Sequence, residues 1–185
     1  MATTADIKKG ITIMHQGNPH VIVDAQFVNP GKGSSFVRTK LKNITTGQAI
    51  DITMKAGDSI DVADTSMRNV SYLYRDDNNF YFMDPSNYEQ LSLPADIVGV
   101  DSQWMKEGVE VQMTFLDEAP LAMQLPRKVD LLITETPPGV KGDTATGGMK
   151  QATLETGARV QVPLFLADGD VVRVNTENGT YVERV

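Results

Sequence analysis

The chain has 185 residues, a formal net charge of −7 and no cysteine. With 41% apolar and 22% charged residues it can bury a core, which excludes disorder and collagen-like order. The missing thiols exclude disulfides, cysteine-held zinc, iron–sulfur clusters and cysteine nucleophiles, and no apolar run approaches the roughly 18 residues that span a bilayer. The segment 1–10 lacks the apolar stretch of a secretory signal, so a cytoplasmic protein without membrane attachment is expected.

In chain order the elements read as strands and turns. Ile11–Met14, Val21–Val28 and Phe36–Lys42 alternate apolar and polar residues and are rich in β-branched and aromatic types. Hairpin turns are expected at Gln16–Pro19, Thr46-Gly47, Asp76–Asn79, Asp168-Gly169 and Asn178-Gly179. Pro30–Gly33 reads as a further hairpin tip, since Pro30 presets φ at the turn entry and each glycine accepts a positive φ. The one helical signal is Pro94–Glu107, where Ala95, Ile97, Val98 and Trp104 would cover one end of a sheet. A proline at 126 precedes a fresh strand at Val129–Ile133. The stretch Gly139–Leu154 is polar, rich in small residues, and reads as a long functional loop.

The fold class expected is all-β, with short strands spaced as in small barrels rather than βαβ units. Shifts in composition near 56–66 and 125–128 divide the chain into segments 1–64, 65–127 and 128–185. Units of this size bury only about 60% of their unfolded surface and should lean on one another.

Charge is unevenly spread. Residues 1–64 carry seven bases and six acids, 65–127 four and ten, and 128–185 six and eight. No acid occurs between Asp24 and Asp51, whereas Lys32, Arg38, Lys40 and Lys42 all fall there. A local basic zone on an acidic body is a first functional clue, and a solvated strand face is the alternative reading of the same charges.

Catalytic chemistry finds no foothold. His15 and His20 straddle a turn without a carboxylate cluster at ligand spacing, so no metal site is expected. There is no Gly-x-Ser-x-Gly elbow and no histidine placed as a base for a serine. Gly31–Ser35 fails as a phosphate loop, because Gly33 follows Lys32 and a strand rather than a helix comes next. No enzyme activity, catalytic residue or cofactor is expected.

Three groups of motifs are recognisable. Phe27–Gly33 with Phe36–Asn43 resembles the first domain of the bacterial elongation factor P family, and Tyr72–Tyr74 with Phe80–Asp84 resembles its second. Pro138–Gly148, Ala152–Gly157, Val162–Phe165 and Tyr181–Val185 resemble its third. The resemblance runs in order over essentially the whole chain. It implies a KOW/SH3-like barrel followed by two OB-type barrels in an L-shaped arrangement that mimics tRNA. It further implies a monomeric translation factor that binds both ribosomal subunits beside the peptidyl-tRNA, stimulates peptide-bond formation and relieves stalls at consecutive prolines.

Carried over residue by residue, Lys32 corresponds to the tip position that a lysine-modifying enzyme lengthens in many members, and Pro30, Gly31 and Gly33 to the turn presenting it. Arg38, Lys40 and Lys42 correspond to a strand that meets tRNA or rRNA phosphates. Gly142, Asp143 and Thr144 correspond to a third-domain loop near the exit-site codon, and Tyr181 and Arg184 to the small-subunit side. Asn29, Ser34 and Ser35 depart from tips associated with β-lysylation, so the presence and the type of modification stay open. Two alternatives stand beside this reading: a paralogue of the factor, and a free-standing OB module for single-stranded RNA. The second would want aromatics in a basic groove, whereas Tyr72, Tyr74, Phe80, Tyr81 and Phe82 sit in the most acidic third.

Overall fold

The computed structural model describes residues 2–140 and 147–185. Among the described residues, sixteen strands form three sheets and a short ribbon, so the all-β expectation holds. Two compact units result: Met1–Met67 with Thr114–Ala122, and Arg68–Met113 with Met123–Val185. Among the described residues, no helix is long and apolar enough to cross a membrane.

The first sheet is an antiparallel meander of β2 (Thr12–His15), β3 (Asn18–Val28), β4 (Phe36–Asn43) and β5 (Ala49–Lys55). A two-stranded ribbon, β1 (Ala2–Thr3) with β6 (Ser59–Ile60), and an Ile13–Val62 bridge flank it. Alternation along β4 is strict: Val37, Thr39 and Leu41 are buried, while Arg38, Lys40 and Lys42 are exposed. Val37 and Leu41 join Ile7, Ile13 and Ile22 in one core. Each such side chain contributes about 1.5–3 kcal/mol by leaving water. Thr4, fully buried, ties the chain start to the end of β5, its hydroxyl donating to the Lys55 carbonyl and accepting from the Gly57 N–H.

The second sheet has the order β11-β10-β7-β8-β9, formed by β7 (Thr65–Arg75), β8 (Asn79–Met83), β9 (Gln90–Pro94), β10 (Glu110–Leu116) and β11 (Ala119–Gln124). Phe82, Leu93 and Met113 are wholly buried. The helical signal at Pro94–Glu107 materialises as one turn of helix, α1 (Ala95–Val98), followed by a 3-10 turn at Gly99–Trp104. Val98 and Trp104 turn inward, with Trp104 only 3% exposed. Leaving β8, Asp84 is almost buried and saturated: it accepts from the Ser86 hydroxyl and N–H and pairs with Arg68 at 3.2 Å. Those Ser86 bonds, then Arg68, hold its carboxyl below the usual carboxylate range.

The third sheet, in the order β14-β13-β12-β15-β16, comprises β12 (Lys128–Glu135), β13 (Met149–Leu154), β14 (Arg159–Pro163), β15 (Val171–Asn175) and β16 (Thr180–Arg184). Its edge strands β14 and β16 come into contact, which makes it barrel-like. Here the long-loop expectation for Gly139–Leu154 needs correction: residues 149–154 are a paired strand, with Ala152 buried opposite Val160 on β14 and Leu154 buried opposite Ile133 on β12. Thr, Ala and Leu at its end pack a pleated core, and that packing outweighs the loop-like composition preceding it.

Within the unit Arg68–Met113 with Met123–Val185, residues beside the second sheet touch the third. Gly179, in the β15–β16 turn, has φ +68°, and a Cβ there would lie 3.3 Å from the Trp104 ring. Lys106 reaches Glu155 at 3.1 Å, and Glu155 also accepts from the Leu132 N–H.

Candidate nucleic-acid interface

Pairing of β3 with β4 ends at Val28–Phe36, and the seven residues Asn29–Ser35 beyond that pair form the tip. Asn29–Ser34 are exposed, Lys32 among them. Gly33 has φ +110°, a conformation that L side chains rarely adopt, and so the loop can double back beneath Lys32. Pro30 lies beside it, 4.0 Å from where a Gly33 Cβ would be. The ammonium thus stands at the end of a stiff ribbon with an uncluttered approach.

Below the tip, Arg38, Lys40 and Lys42 share one exposed face of β4. Register decides their surroundings. Arg38 lies between Gln26 and Thr53, and Lys42 between Val21 and Ala49. Lys40, however, lies between Asp24 on β3 and Asp51 on β5. The zone free of acids along the chain is therefore not free of them in space, because the hairpins fold its two bounding carboxylates onto its middle lysine. Directly opposed residues sit about 4.5–5.5 Å apart at Cβ, close enough for the charges to offset one another. A base the sequence reading missed restores the balance. Lys55 is exposed, pairs with Phe36 and so shares this face. Arg38 covers the Phe36 ring at 5.6 Å, which stiffens the face just below the tip. Counting outward from the Thr46-Gly47 turn would have found Lys55.

His15 and His20 meet edge to face at 5.6 Å. His20 is buried and its Nδ1 donates to the Asn18 carbonyl at 2.8 Å, so this imidazole serves its own turn.

Of the third-sheet candidates, Gly142, Asp143 and Thr144 lie outside the described residues. The approach to that segment is anchored by Lys150, a nearly buried amine that donates to the Pro137 carbonyl at 2.7 Å. Tyr181 and Arg184 both lie on β16, opposite Val174 and Val172, with a bulge between them. Arg184 approaches Asp170 at 3.9 Å. Next to them Arg173 grips Asp130 through two nitrogens, at 2.7 and 2.9 Å, and Glu183 through a third at 2.8 Å. The Arg173 bonds hold the Asp130 carboxyl below its ordinary range, and Asp130 in turn keeps the guanidinium charged.

Family models cover nearly the whole chain. Residues 3–60 match the elongation factor P (EF-P) KOW-like domain, 65–123 its OB domain, and 129–184 elongation factor P, C-terminal. Over 185 residues the chain is 48% identical to the elongation factor P of Frankia casuarinae, covering 100% of this chain and 99% of the relative. It is 46% identical to that of Coprothermobacter proteolyticus, with 100% of each chain covered. Among solved structures, eukaryotic translation initiation factor 5A from Methanococcus jannaschii superposes with a TM-score of 0.52 at 21% identity, covering 68% of this chain and 90% of that one, a likeness of fold. With KOW-like and OB domains in series and curated relatives alike from end to end, the chain belongs to the elongation factor P family, a family of translation elongation factors rather than enzymes.

Proposed function

We propose that the chain binds the ribosome next to the peptidyl-tRNA and speeds peptide-bond formation at consecutive prolines by steadying the tRNA acceptor end. The observation that carries this reading is Lys32, set in an exposed tip beyond the last β3–β4 pair of its sheet, in a chain that matches the family throughout. Proline's ring restricts attack geometry, and well-aligned reactants are worth up to about 7–11 kcal/mol in reference reactions. A factor that supplies a few of these by positioning needs no catalytic residue, and the chemistry remains the ribosome's.

In this reading Pro30, Gly31 and Gly33 present the lysine, which a lysine-modifying enzyme extends. Arg38, Lys40 and Lys42, with Lys55 beside them, meet RNA phosphates. Gly142, Asp143 and Thr144 reach the exit-site codon, and Tyr181 and Arg184 face the small subunit. The domains are 1–64, 65–127 and 128–185, in a cytoplasmic monomer that mimics tRNA and contacts both subunits. An acidic body suits such a mimic of tRNA, since basic ribosomal proteins would attract it while its basic tip meets RNA. A reconstituted translation system tests the proposal. Adding the protein should accelerate a reporter with three consecutive prolines and leave a proline-free control nearly unchanged; an equal response of both, or of neither, refutes it.

A further inference from the structure

Where the β13–β14 turn packs near β7 and β8, a cleft of about 340 Å³ remains, lined among others by Tyr72, Arg75, Phe80, Ser102, Thr156 and Arg159. Three of its polar groups are unpaired among the described residues. The Thr156 hydroxyl is sealed from solvent and makes no hydrogen bond. Arg159 has no carboxylate or carbonyl partner, and the Arg75 guanidinium merely rests over the Phe80 ring at 5.8 Å. The contrast with the rest of residues 65–185 is sharp. Arg68, Arg127, Arg173 and Arg184 each face a carboxylate. Residues 65–185 carry eighteen acids against ten bases, yet the two guanidinium groups left over line a single cleft.

We propose that this cleft binds a phosphate oxyanion, either free inorganic phosphate or a phosphodiester group of an RNA backbone. Two planar forks match phosphate oxygens bidentately, one from each sheet. The Thr156 hydroxyl, sealed and unbonded here, becomes a further donor once its side chain turns toward a bound anion, and its missing hydrogen bond costs free energy until then. The Tyr72 phenol, pushed up by burial, stays protonated and can donate as well. A tetrahedral anion, with four oxygens, can satisfy donors converging from several directions, which a planar carboxylate cannot. Glu107, whose field reaches Tyr72, is not among the residues lining the cleft. The site goes beyond the ribosomal reading and does not depend on it, so proline-stall rescue can fail while phosphate still binds.

The full chain carries its own reporter, because Trp104 is the single tryptophan and its neighbour Met105 lines the cleft. Its fluorescence would be titrated with inorganic phosphate, and separately with a short single-stranded RNA, using chloride as the ionic-strength control. Calorimetry repeats each arm, so that a silent Trp104 is not read as absence of binding. Saturable binding of phosphate is expected, weakened about tenfold or more in Arg159→Gln, as loss of a charge-assisted hydrogen bond predicts. Thr156→Val should weaken binding too, while leaving the melting temperature without phosphate unchanged or higher, since it removes an unsatisfied hydroxyl. Saturation by phosphate alone assigns a free-phosphate site, and saturation in both arms assigns an RNA phosphodiester. Responses no greater than chloride's, or equal affinity in wild type and Arg159→Gln, overturn the proposal. RNA binding that survives Arg159→Gln and disappears in Lys40→Gln/Lys42→Gln belongs to β4 and, without phosphate saturation, overturns it as well.

Discussion

The β3–β4 tip and the junction of the second and third sheets are built on opposite principles. The tip has exposed residues, a positive-φ glycine and one lysine without a core beneath it. At the junction an aromatic ring presses on a glycine, and a lysine bridges to a carboxylate that itself holds a backbone N–H. Side chains at the tip can therefore change without cost to the fold, whereas those at the junction cannot. The positioning role proposed above calls for both, an adaptable end and a firm contact between the second and third sheets.

The sharpest way to break this contrast is at Lys32. Lys32→Ala should abolish most proline-stall rescue while changing stability by no more than about 0.5 kcal/mol, as surface substitutions usually do. Rescue at the wild-type rate would remove the tip from the mechanism. Lys32→Arg sharpens the question, because arginine keeps the charge but cannot accept an amine-directed modification. Retained activity would show that charge suffices, and loss would point to modification or to ammonium geometry.

At the junction, Trp104→Ala should cost about 3–5 kcal/mol, the usual penalty for emptying an aromatic core site, read as a lower midpoint in urea. Gly179→Ala tests the same contact from the other side. It places a Cβ 3.3 Å from the ring at φ +68°, and about 1–2 kcal/mol of strain is expected. Midpoints equal to wild type in both variants would mean that the junction is loose.

Acid should also tell the regions apart. Asp130 and Asp84 titrate below their ordinary range, so they contribute stability that is present above the unfolded carboxylate pKa of about 3.9 and is lost as pH falls through the lower folded values. Asp130→Asn should lower the melting temperature at neutral pH and make less difference in strong acid. Both groups are on the second and third sheets, and the tip has no counterpart. A variant whose deficit is the same at every pH would rule out the Arg173 pair as the cause.

The smallest effect concerns β4. Each phosphate contact contributes a slope near −0.9 in log K against log salt for duplex DNA. Lys40→Gln/Lys42→Gln should flatten the salt dependence of ribosome or RNA binding. Asp24→Asn/Asp51→Asn should steepen it by freeing Lys40. An unchanged slope in both pairs would show that this face does not touch phosphate.

Much of the fold was legible because strand alternation and Gly-containing turns are local signals. The hairpins at Thr46-Gly47 and Asn178-Gly179 needed only the rule that certain residues tolerate positive φ. The β10–β11 turn escaped the same rule: Asp117 and Glu118 both take positive φ, at 47° and 67°, without a glycine, and pairing of the flanking strands imposes what the residues themselves disfavour. Residues 149–154 were hidden by the small polar residues before them, and their partners β12 and β14 make them a strand.

The candidate site divides along the same line. That Lys32 heads a glycine turn, and that Arg38, Lys40 and Lys42 share one face, follows from spacing alone, because side chains in a strand alternate with a period of two. That Asp24 and Asp51 flank Lys40, that Lys55 joins the basic face, and that Arg75 and Arg159 line one cleft from positions more than eighty residues apart in the chain, was decided by register and packing. Sequence fixes neighbours along a strand. Neighbours across strands depend on where each hairpin turns and which sheet edge meets which, and those choices are made by burying the whole core at once.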